Sequence, residues 1–227
     1  MKNLAILLKA AAPAAGLALL LTLAVRPARA DSITANVTVN TSGFVGSADT
    51  FELFFQLNDG SGSGDGNNTV SLSNFAFGAG GSGGAVDAVN SYGAYSGTLA
   101  SGLSMTDSQA FNAVAAFFTP GAQLTFQLQD TFTSIDSPTP DEFAFAIIDN
   151  GVPLNTSDLS GSGNMFDINF DSASPTPDIY TDATDSITPT LAVAGANTVP
   201  EPSTWALLSS GLALLAGLAE KRRRTSR

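Results

Sequence analysis

The chain has 227 residues, 44% of them hydrophobic, with no cysteine and no histidine. All nine Lys and Arg residues lie in the terminal segments, and of the 20 acidic residues only Glu201 and Glu220 lie outside 31–198, which leaves that body 18 acids and no base. A body without Lys or Arg cannot neutralise phosphates, so nucleic-acid binding is excluded. Without His or Cys there is no usual general base, thiol nucleophile, disulfide or thiolate metal site.

Lys2 and Lys9 precede an apolar run from Ala10 to Val25, followed by Ala28-Arg29-Ala30. This is the pattern of a secretory signal peptide over 1–30, cut between Ala30 and Asp31 by signal peptidase on the Sec route. An uncleaved anchor is the alternative.

The body follows. Ile33, Ala35, Val37 and Val39 alternate with polar residues, as do Phe51, Leu53, Phe55 and Leu57. Both read as half-buried strands, with Phe54 packing at a sheet edge. Asp59 to Asn68 is too rich in Gly for a regular element and reads as a loop. Thr69 to Phe77 is a third strand, its apolar positions shifting from Val70 and Leu72 to Phe75 and Phe77. Val86, Val89 and Tyr92 to Leu99 suggest one or two short strands, and Leu103 with Met105 another. Asp107 to Phe118 fits a helix capped by Asp107 or a strand; the Thr119-Pro120-Gly121 turn into Leu124, Phe126 and Leu128 favours the strand. Phe143 to Ile148 is apolar throughout, as expected of a central strand buried on both faces. Met165 to Phe170 is the last strong strand. The stretch 173–198 is rich in Ser, Thr, Pro and Asp and reads as a linker, with an edge strand over Ile187 to Val193. Eight or so short strands and no confident helix predict a mainly β body over 31–172, a single antiparallel β-sandwich of jelly-roll type.

The C-terminus reads Pro200-Glu201-Pro202, then an uncharged run from Trp205 to Ala219, then Lys221-Arg222-Arg223-Arg224. Fifteen helical residues span roughly 22 Å, against about 30 Å of bilayer hydrocarbon, so the run is a short transmembrane helix. Leu207, Leu208, Leu212, Leu214, Leu215 and Leu218 are its anchor residues, Trp205 its interfacial aromatic, and the basic cluster its cytoplasmic flank. A buried core helix is the alternative.

The triplet, apolar helix and terminal basic cluster together resemble the PEP-CTERM sorting signal of Gram-negative bacteria, over 199–227. Parts of the body, Asp59 to Thr69 and Phe143 to Asp149, resemble a body type that recurs among short PEP-CTERM proteins. The resemblance implies recognition by an exosortase near Pro200-Glu201-Pro202, transient inner-membrane anchoring and removal of the helix. The body would then be released or attached at the cell surface, in a setting of exopolysaccharide and biofilm.

Two chemistries remain for the body. Ca²⁺ takes six to eight oxygens, and Asp59, Asp65, Asn67 and Asn68 on a Gly-flexible loop supply candidates; a solvated hairpin loop is the alternative. Asp141, Glu142 and Asp149 are carboxylates near a strong strand, the kind of group that hydrolyses glycosides in pairs. Exposed loop acids are the commoner outcome, and no catalytic activity is expected. Sugar-binding sandwiches present aromatic platforms, for which this body offers only Tyr92, Tyr95 and Tyr180.

Overall fold

A computed structural model describes residues 31–132, 139–172, 175–182 and 187–194, all within one compact unit, Ala30–Val199. The signal peptide, the PEP triplet, the segment Trp205–Ala219 and the basic tail lie outside the described residues. Among the described residues no helix is long and apolar enough to cross a membrane.

Among the described residues the regular elements are strands, apart from one 3-10 turn at Ser42–Phe44. In chain order the strands are β1 (Asp31–Asn40), β2 (Phe51–Asn58), β3 (Asn68–Ala76), β4 (Ser82–Tyr92), β5 (Ala94–Thr98), β6 (Gly102–Thr106) and β7 (Phe111–Thr119). They continue with β8 (Gln123–Phe132), β9 (Glu142–Asp149), β10 (Val152–Pro153), β11 (Asn164–Asn169), β12 (Asp178–Ile179) and β13 (Thr190–Ala194). One sheet has the order β13-β1-β8-β3-β6-β5, the other β12-β11-β9-β2-β7-β4, with β10 paired to β9. Every pairing is antiparallel. The pairs β1·β8, β2·β7 and β3·β6 nest inside one another and alternate between sheets, as when one long hairpin is rolled up; this is jelly-roll connectivity.

Period-2 alternation places one face of each strand between the sheets. Ile33, Val37 and Val39 of β1, Leu53, Phe55 and Leu57 of β2, and Leu124, Phe126 and Leu128 of β8 are all buried there. Phe126 bridges the layers: its ring lies 5.5 Å from Phe55 and 5.3 Å from Phe145, both near edge-on, a favoured aromatic geometry.

The ambiguous stretch 107–118 forms β7 from Phe111 onward, and Asp107 caps no helix. Phe54 is half-buried on β2, which lies between β9 and β7; it belongs to the middle of a sheet and not to an edge. Alternation alone could not reveal that β2 has neighbours on both sides. The shift from Val70 and Leu72 to Phe75 and Phe77 is a β-bulge. The β3–β8 register slips between Ser73 and Ala76, and Asn74 adopts φ +57°. One extra residue resets the alternation, so both Phe rings turn inward. β9 is buried from Phe143 to Ile147. Within the Pro- and Ser-rich stretch, β13 forms an edge strand on β1, β12 pairs with β11, and Ile187 is buried in the core.

Candidate functional site

Five strands carry their inward row on into a carboxylate or amide at the same end of the sandwich. On β2 the row Leu53, Phe55, Leu57 continues to Asp59, and on β8 Leu124, Phe126, Leu128 continues to Asp130. β6 runs from Leu103 and Met105 to Asp107. β3 begins its inward row with Asn68, and Asp141 precedes the inward Phe143 of β9. Antiparallel pairing gathers these positions: Asn58 lies opposite Glu142, Val70 opposite Asp130, and Thr69 opposite Thr106. Asp59, Asn68, Asp107, Asp130 and Asp141 are all buried. No Lys or Arg exists in the body to pair with them.

The hydrogen bonds divide this end into two parts. Asp59 is consumed by its own loop. Its Oδ1 accepts from the Ser61 hydroxyl at 2.6 Å and the Gly62 amide at 2.9 Å; its Oδ2 accepts from the Gly64 and Asp65 amides. Burial pushes this carboxyl up, but the Ser61 hydroxyl and the loop amides outweigh burial and hold it below its ordinary range. Asp65 turns to Asn67, accepting from its side-chain amide at 2.7 Å. Of the four residues expected as Ca²⁺ ligands, Asp59 and Asp65 therefore organise the loop. Asn68 instead leaves it for the interior.

Asn68 is the hub of the interior part. Its backbone amide donates to both oxygens of Asp107, at 3.1 and 3.2 Å, and its side-chain amide donates to Asp141 Oδ2. Asp141 Oδ1 accepts from the Gly60 amide at 2.8 Å. A Cβ on Gly60 would lie 2.1 Å from the Pro140 carbonyl oxygen, so only glycine allows the loop to close on Asp141. Asp130 differs from all of these. It is 0% exposed, between Ile33 and Val70, and neither of its oxygens receives a well-formed hydrogen bond, the Thr131 amide being its one weak donor. Burial, then the charges of Asp107 and Asp141, push its carboxyl well above the usual range; the Thr131 amide alone opposes them. Burial also leads the shift of Asp107, which with the charges of Asp141 and Asp65, and against the Asn68 amide, reaches about 6.

The carboxylates weighed for hydrolysis are not brought together. Asp141 and Glu142 are adjacent on an extended chain, so they face opposite sides of the sheet. Asp141 meets Asn68 inside, Glu142 accepts from Asn58 on the outer face, and Asp149 stands at the other end of β9. The tyrosines are scattered too: Tyr92 is exposed beside Phe111, Tyr95 packs on the core, and Tyr180 donates to Asp167 at 3.0 Å.

Of these five buried residues, Asp59, Asn68 and Asp141 are expected from the sequence as ligands or acids, Asp107 only as a helix cap, and Asp130 not at all. The missing signal was available. Asp107 and Asp130 have the same parity as the apolar residues before them. A second loop also repeats the first: Asp158-Leu159-Ser160-Gly161-Ser162-Gly163 matches Asp59-Gly60-Ser61-Gly62-Ser63-Gly64 in the pattern Asp-x-Ser-Gly-Ser-Gly. Asp158 accepts from the Ser160 amide and hydroxyl at 2.8 and 2.7 Å and from the Asn164 amide at 3.3 Å. In each loop both later glycines have positive φ, near 70° for Gly62 and Gly64 and at 79° and 70° for Gly161 and Gly163.

The C-terminal segment supplies what this geometry does not. Residues 198–224 match the PEP-CTERM protein-sorting motif. The chain carries a PEP-CTERM sorting signal. This motif implies processing by an exosortase and an exported protein that ends at the cell surface. Comparison with curated proteins and with solved structures gives no match.

Proposed function

We propose that the chain is a non-enzymatic surface or extracellular-matrix protein, exported by the Sec route and held briefly in the inner membrane by Trp205–Ala219. Exosortase then processes it at Pro200-Glu201-Pro202, in the setting of exopolysaccharide and biofilm. The observation that carries the reading is the sorting motif at 198–224. Two features of the body agree with it. The core is built without Cys, so folding outside the cytoplasm needs no oxidase. The excess of acid with no base keeps the exported body soluble and repels copies of itself.

Replacing Pro200-Glu201-Pro202 with alanines tests this reading by cell fractionation. The expected result is loss of the protein from the cell surface and accumulation of the uncut chain in the inner membrane. Unchanged surface delivery would overturn it.

A second reading, a Ca²⁺-dependent binding module, is favoured by one observation: Asp130 is buried among groups of its own sign with one weak donor, the Thr131 amide. An open cleft of about 360 Å³ is lined in part by Phe75, Phe77, Thr98 and Ser101. Such a mixture of ring and hydroxyl suits a sugar better than the scattered tyrosines do.

A further inference from the structure

We propose that the open cleft walled by the β3 bulge, the β5–β6 turn and the start of β4 binds a neutral saccharide. The inference rests on the sugar side of the binding-module reading and not on its Ca²⁺ side; it adds the residues of the site and the charge class of the glycan.

The cleft has its floor because of the bulge. Strict alternation after Leu72 would send Phe75 and Phe77 to the outer face. The slip between Ser73 and Ala76, with Asn74 at φ +57°, turns them in, and bulges re-aim side chains in this way. The two rings lie 6.4 Å apart and within 10° of parallel. Each is rooted in the core, Phe75 against Phe126 at 5.4 Å and Phe77 against Phe118 at 6.2 Å. Both remain half-buried and line the cleft. The β4 side is bare. Gly83 and Gly84 carry no side chain, and a Cβ on Gly83 would stand 3.0 Å from the Phe77 ring. Glycine there leaves that part of the ring uncovered.

The rim is polar. Thr98 and Ser101 face each other across the turn, their hydroxyls 2.9 Å apart. Ser101 Oγ accepts the Thr98 amide at 3.2 Å, and Thr98 Oγ1 accepts the Ser101 amide at 3.1 Å. The turn thus fixes both hydroxyls and leaves one lone pair spare between them. Among the described residues the Ser73 hydroxyl makes no hydrogen bond, and Asn74 makes only a long one through Nδ2, at 3.5 Å to Gln127, which leaves its Oδ1 open. A pyranose is complementary to this arrangement: it has an apolar C–H face for a ring to cover and hydroxyls around its edge. Ligand sites of this kind combine aromatic walls with a few placed polar groups. A purely apolar ligand would strand the polar ones.

Charge decides which sugar. None of the lining residues is ionisable, in a body of 18 acids and no base. A uronate or phosphate-bearing polymer meets repulsion from the body and no cationic group in the cleft, so the glycan is an uncharged one. No carboxylate lines the cleft to hold a bridging cation, so binding needs no Ca²⁺.

The full chain, in zwitterionic micelles free of sugar, is titrated by calorimetry with soluble dextran, laminarin, mannan and galactan, and with alginate, each in CaCl₂ and in chelator. At least one neutral glycan is expected to bind, equally in both, and alginate not at all. Ala100→Glu puts bulk and charge on an exposed rim position and should weaken binding roughly tenfold or more. Gly83→Val should act in the same direction by covering Phe77. Tyr92→Ala, which removes an exposed ring beside Phe111, should leave binding unchanged. Loss in Tyr92→Ala with retention in Ala100→Glu would overturn the proposal, because the glycan would then lie on that other ring pair. Alginate bound in place of the neutral glycans would overturn it as well. Binding in CaCl₂ alone would overturn it while sustaining the Ca²⁺-dependent reading. No glycan bound by the wild-type chain in either condition would overturn it together with the sugar side of that reading.

Discussion

Asp59 and Asp130 end the inward rows of neighbouring layers, yet they live in opposite surroundings. Asp59 sits under a loop rich in glycine whose backbone amides turn toward it, and four donors satisfy it. Asp130 sits between paired strands whose amides are spent on the ladder, and only a weak contact from the Thr131 amide reaches it. The same residue type is held below its ordinary ionisation range in one place and far above it in the other. Deeper burial and the lack of free backbone donors together separate Asp130 from Asp59. A loop can fold its amides around a carboxylate; a regular strand cannot.

The largest effect is expected where the loop loses its centre. Asp59→Ala removes an acceptor shared by four donors and should cost roughly 3 kcal/mol in denaturant unfolding. A cost under about 1 kcal/mol, the scale of a single net hydrogen bond, would mean the loop organises itself without it.

Proton linkage comes next. Burial pushes Asp107 up to about 6 from an ordinary 3.8, and Asp130 is raised as well, first by its own burial. The folded state thus binds protons more tightly than the unfolded chain. In chelator, this contribution is complete below the unfolded value and is lost as pH rises through the folded one. Stability measured without Ca²⁺ should fall from mildly acidic to neutral pH, and Asp107→Asn should flatten the decline. A stability that rises over that window in the wild-type chain would contradict the raised values.

Asp130→Leu should stabilise the chain by about 1–2 kcal/mol in chelator, because it replaces a poorly partnered buried carboxyl with an apolar side chain of similar size. The smallest effect is expected at the second loop. Asp158 receives three bonds near an exposed turn, so Asp158→Ala should cost about 1 kcal/mol. A cost equal to that of Asp59→Ala would show that the two loops are equivalent.

Much of the sandwich was legible because its strands alternate cleanly. Phe51 to Leu57 and Leu124 to Leu128 identify their buried faces by parity alone. The shift at Val70, Leu72, Phe75 and Phe77 even exposes the bulge at Asn74. The position of β2 was not legible: it became a central strand because β9, nearly a hundred residues later, pairs along its length, and no local pattern encodes that partner. The acidic end was half legible. Parity points Asp107 and Asp130 inward, but polar residues at strand ends look like the start of a turn. Only the antiparallel registers bring them to the same end. The loop at Asp59 to Asn68 was recognised as a loop, while its division into a self-satisfied half and an interior Asn68 follows from contacts with Asp107 and Asp141, which are distant in sequence.

The intact mass of the protein recovered from the outside of its own cells decides whether this acidic sandwich is cargo for the sorting machinery. The expected species begins at Asp31 and ends near Pro200 to Ser203, with any excess mass reporting an attached group. A species still carrying Trp205 to Arg227 would contradict it, because the tail would then be a permanent anchor.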